Sequence, residues 1–255
     1  MYLIDSHCHL DFKQFDQNRE QILCHCQQLG IKGIIVPGVT ADSWKKLLNI
    51  CQQSALLRPA LGLHPMFMEQ HHPKHLIQLS ESIFNHHLIA IGEIGLDFYI
   101  ANHDKNSQIH VFTEQLKIAQ QTELPVLLHV RKAHEQTISL LKQYPLTGGI
   151  VHAFSGSLQQ AKQYQDLGFV LGIGGAITHP RATRLRTMVG QLDLSSIVLE
   201  TDAPDMPLHL MKQPYNTPEN ITVILDTLTA LRSESKKEIA STTTANCHRV
   251  LKLSH

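Results

Sequence analysis

The stretch Tyr2-Leu3-Ile4-Asp5-Ser6-His7-Cys8-His9 decides how the rest of the chain is read. It is a short apolar run that stops at a pair of histidines. On an extended strand, side chains alternate faces with a period of two. That spacing predicts His7 and His9 on one face and Cys8 on the other. Two imidazoles side by side at a strand end can hold one metal ion through nitrogen. The chain carries 18 histidines, so this pair gains weight only from what stands at the ends of the other strands.

Working outward, apolar β-type runs alternate with longer helical patterns. A helix is expected over about Asp16 to Leu29, stopped by Gly30, followed by a buried strand at Gly33-Ile34-Ile35-Val36. Asp42 is placed to cap a helix through Trp44, Leu47, Leu48 and Ile50. Pro59 to Leu63 reads as a third strand, and residues from about His75 to Phe84 as the next helix. Leu88 to Ile91 is the fourth strand, running into Gly92-Glu93-Ile94-Gly95-Leu96-Asp97. Helices over about Ser107 to Thr122, up to about Tyr144, and from Leu158 to Leu167 separate strands at Pro125 to Leu128, Gly149 to Val151 and Phe169 to Ile173. Ile197-Val198-Leu199 is the eighth strand, and the C-terminal helices cover roughly Pro218 to Leu231 and Lys236 to Val250.

The strands are continuous apolar runs, as both faces of a buried parallel sheet require. Eight strand–helix alternations in 255 residues point to a single-domain (β/α)₈ barrel spanning residues 1–255. An open doubly wound sheet fits the same alternation. No Gly-rich phosphate turn follows the first strand, however, which argues against dinucleotide binding.

Lys and Arg total 22, as do Asp and Glu, so the chain is neutral with His uncharged. That excludes coating nucleic acid by bulk charge but leaves room for a local grip on one or two phosphates. No run of roughly 18 apolar residues is present, so no membrane contact is expected. No basic region followed by an apolar stretch opens the sequence, and the five scattered cysteines are not a disulfide framework. Both features lead to the expectation of a cytoplasmic protein with no obligate protein partner.

In such barrels chemistry sits at the C-terminal ends of the strands. The residues there are His7 and His9, His64, Glu93, His129, His152 and Asp202. Scattered histidines would not keep that register. The set suffices for two divalent ions, with His7, His9 and Asp202 on one, His129 and His152 on the other, and Glu93 bridging. Two cations can share a hydroxide, lower its pKa and stabilise both oxygens of a phosphoryl displacement. Asp202 can also take the proton from the attacking water. His64 is expected to touch the substrate or to support the ligands.

Ser6-His7-Cys8-His9-Leu10, Gly62-Leu63-His64-Pro65, the Gly92 to Asp97 block, Pro125 to Arg131, His152-Ala153-Phe154-Ser155-Gly156 and Glu200-Thr201-Asp202-Ala203-Pro204 together resemble the signature blocks of the TatD-type metal-dependent deoxyribonucleases, within the amidohydrolase superfamily. Asp202 to Pro207 and Asn216 to Glu219 look most like its YjjV branch. The resemblance implies a TIM barrel with two divalent ions, magnesium, manganese or zinc, that hydrolyses phosphodiester bonds in DNA, often from the 3′ end. It gives the metal roles to His7, His9, Glu93, His129, His152 and Asp202, with Glu93 and Asp202 also catalytic. The segment Leu208 to Tyr215 departs from the family pattern, lacking the Gly and Arg expected beside that loop.

For phosphate, the candidates are Arg131, two residues after His129, and the backbone N–H groups of Phe154-Ser155-Gly156 ahead of a helix. The basic run His179 to Arg186 adds local positive charge. Asp97 and Glu200 are expected to orient ligands or loops. The competing reading is a metal hydrolase of a small ester, amide or phosphoester. A metal-stabilised scaffold is the third, but it would call for closed four-ligand sites rather than six ligands for two ions.

Overall fold

The computed structural model describes residues 2–100 and 104–253. Its strands are β1 (Leu3–Asp5), β2 (Ile31–Pro37), β3 (Leu57–Leu61), β4 (Ala90–Asp97), β5 (Val126–Arg131), β6 (Gly149–Val151), β7 (Phe169–Ile173) and β8 (Ile197–Leu199). Between and after them run α1 (Arg19–Gln28), α2 (Ala41–Gln52), α3 (Pro73–Asn85), α4 (Lys105–Thr122), α5 (His134–Gln143), α6 (Leu158–Asp166), α7 (Thr183–Gln191), α8 (Ile221–Leu231) and α9 (Lys236–Leu251). Each strand pairs in parallel with the next, in sequence order. The first and last strands meet just past their ends: the Ser6 N–H donates to the Leu199 carbonyl at 2.9 Å and the Asp202 N–H to the His7 carbonyl at 2.8 Å. The architecture is therefore the expected eight-stranded barrel.

One residue from each strand builds the barrel's interior layer: Ile4, Ile35, Ala60, Ala90, Leu127, Ile150, Val170 and Val198. Cys247, Val250 and Leu251 of α9 pack beneath that layer and close the end where the strands begin. A second apolar layer, including Ile34, Leu61, Leu128 and Leu171, lies between the strands and the surrounding helices. Only the end where the strands finish stays open to chemistry.

Counting upward from the interior layer in steps of two shows how the sequence fills that mouth. Leu127 leads to His129, Ile150 to His152, Val198 to Glu200 and Asp202, and Ala60 through Gly62 to His64. His7, His9 and Glu93 fall on odd steps from Ile4 and Ala90. They reach the mouth because β1 gives way to a bend at Ser6, and because the β4–β5 register shifts between Ile91 and Ile94. The expectation that His7 and His9 share the face of a strand is corrected accordingly, since β1 ends at Asp5.

Two local readings also change. Thr40, not Asp42, is the N-cap of α2; Asp42 sits in the first turn, where its charge suits the helix dipole. The basic run His179 to Arg186 continues into a helix, α7, over Thr183–Gln191. Capping boxes set the starts of α6 (Ser157 with Gln160) and α9 (Ser235 with Glu238), and left-handed glycines follow α1 and α6 at Gly30 and Gly168.

Gly95 holds the β4–β5 seam beside the mouth. Its φ is +146°, and a Cβ there would drive into the carbonyl oxygen of His129, its register partner. Gly33 in β2 has room, with nothing nearer than 3.4 Å to an added Cβ. Gly95→Ala should cost roughly 1–3 kcal/mol, a Tm drop of about 2–12 °C for a chain of this size, while Gly33→Ala leaves Tm within about 2 °C. Equal losses in thermal scans of the two variants would show that close approach to β5 is not what Gly95 serves.

Candidate metal centre

At the mouth, Glu93 stands between two sets of imidazoles. Its Oε2 lies 3.0 Å from His7 Nε2 and 3.5 Å from His9 Nε2, and its Oε1 lies 3.0 Å from both His64 Nε2 and His129 Nδ1. Asp202 flanks the Oε2 side: its Oδ1 is 3.8 Å from His7 Nε2 and 3.6 Å from the Nε2 atoms of His9 and His152. Three sets of donors each fall within 4.8 Å of one another: His7, His9 and Asp202; His7, Glu93 and His152; His64, Glu93 and His129. The His7 and His152 rings stack with centroids 3.7 Å apart.

The hydrogen-bond network separates ligands from supports. His9 Nδ1 is 3.3 Å from the Pro37 carbonyl, to which only an N–H can donate, so Nε2 keeps its lone pair. His129 Nε2 meets Asp97 Oδ2 at 3.0 Å, which leaves Nδ1 as its free donor atom. His64 is the reverse case. Its Nδ1 accepts the Met66 N–H at 3.0 Å, so Nε2 carries the proton and donates it to Glu93. His64 therefore steadies the central carboxylate, and the second donor set reduces to Glu93 Oε1 and His129 Nδ1, with His152 across the mouth.

Carboxylates back the imidazoles. Glu200 Oε1 lies 3.0 Å from His152 Nδ1 and accepts the Ala153 N–H at 2.7 Å; a Cβ on Gly172 would collide with this side chain. Asp97 also accepts the Tyr99 N–H at 2.9 Å. Asp5 accepts the N–H groups of His7 (3.2 Å) and Thr201 (2.9 Å) and the Thr201 hydroxyl (2.5 Å), which joins the two segments that carry His7 and Asp202. Asp202 and Ala153 sit at positive φ, 56° and 45°, at the tops of β8 and β6. Left-handed backbone at non-glycine residues is strain held in place by its surroundings, and it marks both loops as built for position.

The expected phosphate contacts fare differently. Arg131 is exposed, its guanidinium carbon 3.8 Å from the centre of the Tyr99 ring. Tyr99 is a contact that the sequence reading missed; an aromatic two residues past Asp97 was its only signal. Ser155 is exposed and Gly156 half-buried, but the Phe154 N–H is committed to the Gly172 carbonyl at 3.0 Å. The three-residue cradle is thus corrected to two. In the basic run, Arg186 donates to the Ile177 carbonyl and His179 faces the Pro207 carbonyl, so Arg181 and Arg184 are left as its exposed cations.

Comparison with known proteins agrees with this geometry. The family model described as TatD related DNase matches residues 4–252. An uncharacterized metal-dependent hydrolase, YjjV of Escherichia coli, is 41% identical over 93% of each chain. Its crystal structure superposes with a TM-score of 0.95, at 39% identity, over 99% of this chain and 98% of that one. A 3′-5′ ssDNA/RNA exonuclease, TatD of Cronobacter sakazakii, is 29% identical over 97% of each.

The residues themselves call for cations. Glu93 and Glu200 are buried and Asp202 nearly so, and among the described residues no Lys or Arg pairs with any of them. Buried anions faced only by imidazoles are stable once paired with a positive charge. Burial pulls His7 well below the usual imidazole range and His9 down to about 4, so both offer lone pairs at neutral pH. Burial also opposes charge on His152, but Glu200 and Asp202 overcome it and lift its pKa to about 10. Burial, against the pull of His152, raises Asp202 to about 8. At pH 7 the His152–Asp202 pair therefore holds protons that a metal must expel. Titration with manganese or zinc should release protons, and apparent affinity should rise between pH 6 and pH 8. Calorimetry in two buffers of different ionisation enthalpy reads this directly; an affinity independent of pH would place the ion elsewhere.

Proposed function

The chain belongs to the TatD-related DNase family, and on that premise we propose that it is a metal-dependent deoxyribonuclease that trims single strands from the 3′ end. The observation that carries this reading is Glu93, whose two carboxylate oxygens face two separate donor sets 3.0–3.5 Å away. His7, His9 and Asp202 would hold one divalent ion and His129 and His152 a second, with Glu93 between them. Such a pair supplies Lewis-acid stabilisation of a phosphoryl oxygen and a water acidic enough to attack at neutral pH.

The chain's own residues do the rest. Asp202 takes the proton of the attacking water as it adds to phosphorus. The bond to the 3′ oxygen of the preceding nucleotide breaks; that oxygen takes up a proton, so that the shortened strand ends in a 3′-hydroxyl and a 5′-monophosphate leaves. Asp97 and Glu200 fix the rings of His129 and His152. Arg131, held over the Tyr99 ring, pairs with a phosphate oxygen, and the Ser155 and Gly156 N–H groups take another. The five cysteines, present as free thiols, fit a reducing cytoplasmic setting. No helix of the described residues is long and apolar enough to cross a membrane.

On 5′-labelled single-stranded DNA with magnesium or manganese, the wild type should give a ladder that shortens from the 3′ end, and Asp202→Asn should lose roughly 10²–10⁴-fold in rate. No cleavage with either metal would transfer the site to a small ester or phosphoester. Arg131→Ala should raise KM for DNA by roughly tenfold, the worth of one charge-assisted hydrogen bond, while sparing a neutral ester. Equal loss on both substrates would remove Arg131 from phosphate binding.

A further inference from the structure

On the far side of His64 from Glu93 and the metal-binding residues, and lined by none of them, lies a cavity of about 810 Å³, within the roughly 300–1,000 Å³ range of small-molecule sites. Its wall begins at Leu63 and Pro65, one residue on either side of His64, and continues through Met66, Phe67 and Met68 to the first turns of α4. The 3-10 turn Pro65–Gln70 is broken at Phe67, and the Phe67 ring lies 5.8 Å, centre to centre, from that of His64. His64 in turn touches Glu93, so the aromatic wall and the central carboxylate are two side chains apart.

The character of the lining is selective. It contains two thioethers and a phenyl ring, three imidazoles, the side-chain amides of Gln70 and Asn106, and two carboxylates, Glu69 and Asp104, but no Lys or Arg among the described residues. A wall of that charge repels phosphate. The amides offer a donor and an acceptor each, to which His71 adds one more acceptor. His71 Nε2 donates to the His64 carbonyl at 2.9 Å, which leaves a buried Nδ1 with no partner among the described residues. Soft apolar surface with a few neutral polar groups suits a flat heterocycle rather than a continuing polynucleotide.

We infer that this cavity receives the terminal nucleoside of a single strand, its base against Phe67, which brings the first phosphodiester to the metal centre. The inference rests on the nuclease reading and adds what that reading lacks, a physical reason for starting at an end. A chain that continued past the cavity would have to thread phosphates over Glu69 and Asp104. Base stacking on an aromatic side chain is sequence-tolerant, so every terminal base is accepted.

The test compares three 5′-labelled single strands with manganese: one ending in an ordinary nucleotide, one in an abasic residue and one in a 3′-phosphate. The abasic end should lower kcat/KM for the first cut by roughly 5- to 150-fold, the equivalent of about 1–3 kcal/mol of stacking. The 3′-phosphate should slow it as well. In Phe67→Ala the ratio between the ordinary and abasic ends should fall towards one, and Phe67→Tyr should restore it. Equal rates on ordinary and abasic ends in the wild type would overturn the inference while leaving the nuclease reading intact. An undiminished ratio in Phe67→Ala, or internal cuts in place of terminal ones, would overturn it as well. Failure to cut any of the three strands would remove both readings together.

Discussion

Glu93 is the constraint on which the mouth of the barrel depends. A carboxylate that is 2% exposed stays charged only if its surroundings compensate, and among the described residues the compensation comes from imidazoles. Burial raises its pKa, but His64 and His7, with the hydrogen bonds of His129 and His64, overcome that and hold it well below the usual carboxylate range. Imidazole is the apt partner because it can yield its place to a cation without leaving a charge behind. A lysine or arginine there would neutralise Glu93 permanently and close the site to metal. The same logic explains His64, which is kept neutral by burial and aimed with its N–H at the carboxylate.

That arrangement is tied to the closure of the barrel. Asp5 reaches from the end of β1 to Thr201, just beyond β8, and also holds the His7 N–H. The Asp202 N–H bonds to the His7 carbonyl, and the His9 N–H to the Ala203 carbonyl at 2.8 Å. The seam that turns an open sheet into a barrel is thus the seam that brings His7 and His9 to Asp202. An open doubly wound sheet, with its first strand in the middle and its last at an edge, would leave these residues several strands apart. Fold closure and assembly of the donor set are one event, with Asp5 buried at the joint.

The sequence made most of this legible because a barrel's interior obeys a simple rule. Each apolar run contributes one residue to the inner layer, and two steps further on the side chain re-emerges at the mouth; His129, His152 and Glu200 follow that count, and Asp202 lies two steps beyond Glu200. The rule failed where the backbone departs from a regular strand. His7, His9 and Glu93 are out of phase with Ile4 and Ala90, and only the bend at Ser6 and the irregular β4–β5 register recover them. Roles that depend on which ring nitrogen bears the proton were equally hidden. Nothing in Gly62-Leu63-His64-Pro65 announces that the Met66 N–H would fix the tautomer of His64. The Phe154 N–H was lost to the cradle for a similar reason, since its partner Gly172 lies on the neighbouring strand.

Around the mouth, charge is distributed by strand order. On the β3–β4 side stands the cavity with two carboxylates and no Lys or Arg among its described lining. Next in order comes Arg131 on Tyr99 at the top of β5, then the free N–H groups after β6, then Arg181 and Arg184 after β7. A neutral chain with 22 charges of each sign has no long-range field with which to collect polyanions, so any grip on one must be local and ordered. Apolar lining thus occupies one arc of the rim and the cations the next, while the metal-binding residues come from around the whole mouth. A ligand matching it has a neutral flat end, one reactive phosphoryl group and further negative charge trailing away. A small neutral ester would use the first two parts and leave the third idle, whereas the proposed substrate, the end of a nucleic-acid strand, would use all three.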